Sequence, residues 1–107
     1  MKIDTKLVPL DILKSSLLLN EDAYSKEYVL GYNRFVEGFF SGVELFDIMD
    51  GGEIPTLTCS ENALEGVERY RATHFIPDEY SFMMGSFDAC QKTFQMLELA
   101  YSDIEAA

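Results

Sequence analysis

The sequence predicts an all-α protein, a compact bundle of about four to five helices forming a single domain over residues 1–107. Three observations predict it. Apolar residues recur at steps of three and four through most of the chain, the period of one helix face. Two Ser/Thr-x-x-Glu sequences, Ser41 to Glu44 and Thr58 to Glu61, have the form of capping boxes that open helices. Glycine and proline fall between the periodic segments, at Asp50-Gly51-Gly52, Pro55 and Pro77. With 48% apolar residues, the chain can bury a core of its own.

Each element follows from local chemistry. Residues 9–19 read as a short helix. Pro9 suits its first position, Asp11 complements the dipole, and Leu10, Ile12, Leu13 and Leu17 form its apolar face. Residues 21–40 read as a second helix, with Tyr24, Tyr28, Tyr32, Phe35 and Phe39 at helical steps. Gly31 and Gly38 weaken its interior by about 1 kcal/mol each, so Gly38 marks its end or a close packing contact. Ser41 then opens a short helix at 42–49, which Asp50-Gly51-Gly52 stops, leaving a loop at 51–57.

Thr58 opens a helix at 59–74, with Leu64, Val67, Tyr70 and His74 on one side. Pro77 ends the passage after His74 and can begin another helix, with Asp78 and Glu79 in its first turn, ahead of the last helix. The short aromatic runs around Phe75 and Tyr80 offer an alternative, a short β-hairpin near residues 74–87. Met83, Phe87, Cys90, Phe94, Leu97, Tyr101 and Ile104 recur at steps of four and three, a seam for packing against the rest of the bundle. A homodimer through residues 83–104 is the other use of such a seam. Gly85 weakens the first turn and could delay the start to Ser86.

The charge distribution is the clearest pointer to function. No Lys or Arg occurs between Arg34 and Arg69, whereas that stretch of 34 residues carries eight carboxylates. They are Glu37, Glu44, Asp47, Asp50, Glu53, Glu61, Glu65 and Glu68. The formal net charge is -11. Such a surface repels phosphate backbones and anionic membranes and attracts a basic partner, so direct nucleic-acid binding is not expected. Glu61, Glu65 and Glu68 stand at i, i+4 and i+7, where like charges destabilise a helix by about 0.2–0.5 kcal/mol per pair. That arrangement fits a binding surface; a merely solvated, solubilising face is the plain alternative. Tyr24, Tyr28 and Tyr32 add rigid contact area for a partner or, equally, fill a core.

Catalytic and metal chemistry find little support in the residues. His74 is the only imidazole, and no nucleophile signature flanks it. Cys59 and Cys90 form no C-x-x-C pair and, with one histidine, cannot close a structural zinc site. Both read as core or semi-buried thiols, kept reduced in the cytoplasm, since neither a signal peptide nor an apolar run of spanning length is visible. Asp47 to Glu53 has the acids and glycines of a calcium loop without its spacing. No catalytic residue, metal ligand or cofactor is therefore expected.

Residues 35–46, Phe35-Val36-Glu37-Gly38-Phe39-Phe40-Ser41-Gly42-Val43-Glu44-Leu45-Phe46, resemble the helix–turn–helix signature of colicin D-type immunity proteins. Gly38, Ser41, Glu44 and Leu45 match that pattern, and Phe39 departs from it where a polar or basic residue is more usual. The resemblance is clear over about a dozen residues and looser over 28–75; it leaves the rest of the chain unaccounted for. It implies a small helical inhibitor that neutralises a basic nuclease toxin by covering its active site. The alternative with the same surface logic is a phage-encoded blocker that mimics nucleic-acid charge against a host defence complex, of anti-CRISPR or anti-restriction type. A third class is a small enzyme or ligand-binding domain built around Cys59, Cys90 and His74.

Overall fold

In the computed structural model, residues 10–20, 24–49 and 58–106 are described, with side chains described for 11–20, 24–41 and 58–99. Four helices make up this part of the chain: α1 (Leu10–Leu17), α2 (Lys26–Met49), α3 (Cys59–Arg71) and α4 (Glu79–Ala106). Among the described residues there is no strand, so the all-α class stands and the hairpin near 74–87 does not form. Residues 79–87 belong to α4 instead. Asp78 makes that helix possible by accepting hydrogen bonds from the Ser81 backbone N–H (3.0 Å) and the Ser81 hydroxyl (2.6 Å). These satisfy an amide at the new helix end, the role of an N-cap.

The separate helices expected at 21–40 and 42–49 are one helix, α2, of 24 residues. Ser25 opens it: its carbonyl receives the Val29 N–H and its side chain the Tyr28 N–H. Ser41 does not act as a cap. Its hydroxyl donates back to the Glu37 carbonyl, 2.9 Å away, the i to i−4 bond open to a serine inside a helix. Gly38 is exposed, and a Cβ built there meets nothing within 4 Å. It neither ends the helix nor packs against a neighbour. The helix–turn–helix expected at residues 35–46 is therefore absent. α2 runs unbroken through the local capping pattern, with Val29, Tyr32, Val36 and Phe40 buried along one face ahead of it.

The close packing contact lies elsewhere on α2. A Cβ on Gly31 would clash with the carbonyl oxygen of Phe82, and one on Gly85 would clash with the carbonyl oxygen of Tyr28. These two glycines face each other's backbones where α2 crosses α4. Gly85 therefore sits well inside α4, not before its start. The two helices run in the same direction, since Tyr28 meets Asp88 near their beginnings and Phe39 meets Phe94 further along. The Tyr28 hydroxyl donates to Asp88 at 2.6 Å, and the Phe39 and Phe94 rings meet edge to face at 5.5 Å.

α4 is the central element, packed between α2 and α3. α1 closes the first core cluster by laying Leu17 against Tyr32, Val36, Phe40 and Ala89. Asn33 ties down the chain leaving α1, accepting from the Leu19 N–H at 2.8 Å and donating to its carbonyl at 3.2 Å. A second cluster forms from Val67, Ile76 and Phe82, with Tyr70 and Met83 against it. Being covered on two sides shifts the axis of burial on α4. The seam residues Cys90 and Leu97 are buried, but Met83, Phe87 and Phe94 are only half-buried. Phe82, Gly85, Ser86, Ala89 and Thr93 lie deeper. Small residues there admit two neighbouring helices, which a large-residue seam would hold apart. Tyr101 and Ile104 lie outside the described side chains. Cys90 and Leu97 serve the protein's own interior, which removes them from any seam offered to a second copy.

Candidate functional site

α3 presents the acidic row. Its inward residues are Ala63 and Val67, both buried, with Cys59, Gly66 and Tyr70 half-buried beside them. At about 100° per residue, Glu61, Glu65 and Glu68 lie within roughly 60° of one another and diametrically opposite that face. All three are exposed, and among the described residues none makes an ion pair. Neighbouring cations are engaged otherwise. Arg71 grips Glu79 with one guanidinium nitrogen, at 2.9 and 3.2 Å from its two carboxylate oxygens. Arg34 of α2 lies over the Tyr70 ring, 4.7 Å from its centroid, a cation–π contact. Arg71 is thus turned toward Glu79, while Arg69, at i+4 from Glu65, remains exposed on α3.

The other expected contact residues are placed less fully. Glu37 is exposed on α2. Glu44 and Asp47 belong to the last turns of α2, with their side chains outside the described set. Asp50 and Glu53 lie outside the described residues. Helix α3 opens at Thr58 as expected, but Thr58 makes no side-chain capping bond, so its capping box is not realised. Glu61 still lies in the first turn, where the helix dipole favours a carboxylate.

The apolar side expected for α3 is corrected in two positions. Leu64 is 53% exposed, about 100° away from the Ala63 direction. α3 ends at Arg71, so His74 lies in the following turn and is exposed. It stacks on Tyr70 with ring centroids 4.3 Å apart, and its Nδ1 lies 2.8 Å from the Thr73 hydroxyl. Tyr70 also stacks on Phe82 at 5.1 Å, so His74 braces the end of α3 against α4.

The structure does not assemble a Cys–His pair. Cys59 is the first residue of α3 and His74 lies beyond its last, a separation on the order of 20 Å along the helix axis. It does bring Cys59 to Cys90, both free thiols, sulfur to sulfur at 2.6 Å. Burial, then the neighbouring Cys59 sulfur, pushes the Cys90 thiol up to about 12. The sequence offered no sign of this pairing: the two residues are 31 positions apart and fit no short motif.

The tyrosines expected along one side of α2 divide. Tyr24 is 54% exposed, Tyr28 half-buried and Tyr32 buried. Tyr24 and Tyr28 stack at 5.2 Å. Burial first, then the hydrogen bond to Asp88, holds the Tyr28 phenol well above its ordinary value. Burial, then the Asp88 carboxylate, also raises the Tyr32 phenol, whose hydroxyl has no hydrogen-bond partner among the described residues. Tyr32 therefore belongs to the core and not to a binding face. Among the described residues, no three His, Cys, Asp or Glu side chains converge to hold a metal ion. Nor, among them, is any helix long and apolar enough to cross a membrane. No protein-family model, curated protein or solved structure matches this chain.

Proposed function

We propose that this protein is an acidic, cytoplasmic, non-enzymatic inhibitor that captures a basic protein, with a nuclease toxin as the partner class. The observation that carries the reading is the α3 row of Glu61, Glu65 and Glu68, exposed opposite the core and unpaired among the described residues. Neighbouring carboxylates along a helix lie about 5–6 Å apart and repel each other. A helix that only needed solubility could intersperse lysines on that face, as the sequence nowhere does between Arg34 and Arg69. A nuclease presents Lys and Arg where it grips RNA or DNA, and this row can occupy those positions. Glu37, Glu44, Asp47, Asp50 and Glu53 are assigned to the same contact zone on sequence alone.

Complementary charge would raise association toward roughly 10⁸ M⁻¹s⁻¹ at low salt. The test is stopped-flow association with basic nuclease domains over a range of ionic strength, alongside inhibition of their cleavage. The expected result is a rate that falls steeply with salt and falls again in the Glu61→Gln/Glu65→Gln/Glu68→Gln variant. A rate indifferent to ionic strength, or a triple variant that captures and inhibits as the parent does, would defeat the proposal.

The regular spacing of the row favours one second reading, a mimic of nucleic-acid charge that blocks a defence complex. In that case the protein would displace DNA or RNA from such a complex in competition binding, and would leave toxin nucleases active.

A further inference from the structure

We infer that Cys59 and Cys90 form a preorganised dithiol, an oxidation site that closes to an intramolecular disulfide between α3 and α4. Three observations carry this, and none depends on the acidic row. The sulfurs are 2.6 Å apart, so a bond of about 2.05 Å needs roughly half an ångström of side-chain adjustment. The two cysteines sit on helices that pack antiparallel, with the Tyr70–Phe82 stack and the buried Val67–Phe82 cluster further along the same interface. Their burial is unequal: Cys59 is half-exposed at the start of α3, whereas Cys90 has no accessible surface.

That inequality sets the order of chemistry. A low-molecular-weight disulfide, RSSR, reaches Cys59 and not Cys90. The Cys59 thiolate attacks one sulfur of RSSR, forming a Cys59–S–S–R mixed disulfide and releasing one RSH. The Cys90 thiolate then attacks the Cys59 sulfur and displaces the second RSH. The protein loses two hydrogens, both carried off by two RSH, and RSSR is reduced. Cys90 is the resolving thiol because it is buried within reach of a single sulfur. Burial also keeps its proton on near neutrality, so closure accelerates as pH rises. The bond closes the 31-residue separation between the two positions and pins the start of α3, the end that carries Glu61, to the centre of the fold.

The experiment is oxidation of the full chain with glutathione disulfide, followed by intact-mass measurement and peptide mapping. The expected product is a monomer lighter by two hydrogens, with the Cys59 and Cys90 peptides joined. Its melting temperature should rise by about 10 °C and return on reduction. In Cys90→Ala, Cys59 should stop at the glutathione adduct; in Cys59→Ser, which alters only a half-exposed side chain, Cys90 should stay unmodified. Circular dichroism confirms that each variant remains helical. A parent protein that stops at the mixed disulfide, keeps both thiols free, cross-links into dimers, or melts lower when closed would overturn the inference.

Discussion

Glycine-to-alanine substitution at three positions separates helix propensity from helix–helix approach, and the fold assigns opposite signs to the same chemical change. Inside a helix, alanine is favoured over glycine by about 1 kcal/mol. Gly38 lies in α2 with nothing within 4 Å of a new Cβ, so Gly38→Ala should realise most of that gain, about 0.5–1 kcal/mol. At Gly85 the new Cβ would clash with the Tyr28 carbonyl oxygen and lie 3.0 Å from the carbonyl carbon and from the Tyr32 nitrogen. At Gly31 it would clash with the Phe82 carbonyl oxygen, 2.9 Å from the carbonyl carbon. Every obstructing atom is backbone and cannot rotate away, so α2 and α4 must separate beside the Tyr32, Val36 and Ala89 cluster. Overpacking costs about 1–3 kcal/mol, and an immovable obstacle places these sites at the upper end. After the propensity gain, each should be destabilised by about 1–2 kcal/mol. Urea unfolding followed by circular dichroism reads the difference directly. With a slope of about 1–3 kcal/mol/M, the midpoint should rise by a few tenths of a molar for Gly38→Ala and fall by roughly 1 M for Gly85→Ala. Gly31→Ala/Gly85→Ala together should cost less than the sum, because one separation relieves both overlaps. Three shifts of the same sign would refute the α2–α4 crossing described above.

Further outcomes follow from the polar groups. Thr93→Val replaces a buried hydroxyl that lacks a partner among the described residues with an isosteric methyl and should stabilise by about 1 kcal/mol, as measured by thermal unfolding. Tyr28→Phe removes the donor to Asp88 in a half-buried site and should cost about 1 kcal/mol in the same measurement. The Tyr28 and Tyr32 phenols sit above the ordinary value of 10.0 in the folded state, so the stability they contribute is complete below that pH. It is lost as pH rises through their folded values; ultraviolet titration should show these two tyrosines ionising late, with unfolding. Asp78 behaves in the opposite sense. The Ser81 hydroxyl, then the Ser81 N–H, holds its carboxyl below 3.8, so its contribution is present above that pH and lost as pH falls through the folded value. Asp78→Ala should flatten the acid limb of a melting-temperature profile.

Local periodicity and composition were sufficient for the helical class, for the positions of α1, α3 and α4 to within a few residues, and for the acidic bias. The three glutamates of α3 could be placed on one line from spacing alone, because helix geometry relates i, i+4 and i+7 without knowledge of neighbours. Capping signals were less faithful. Ser41-x-x-Glu44 has the right residues, but a serine can equally bond back to a carbonyl within a helix, as Ser41 does to Glu37. Which glycine packs closely, which tyrosine is core, and that Cys59 meets Cys90 were all decided by how α4 lies between α2 and α3. These are relations between residues tens of positions apart. The energy that fixes them comes from the shared burial of side chains on separate helices, a quantity to which no single segment's pattern contributes enough to be read by itself.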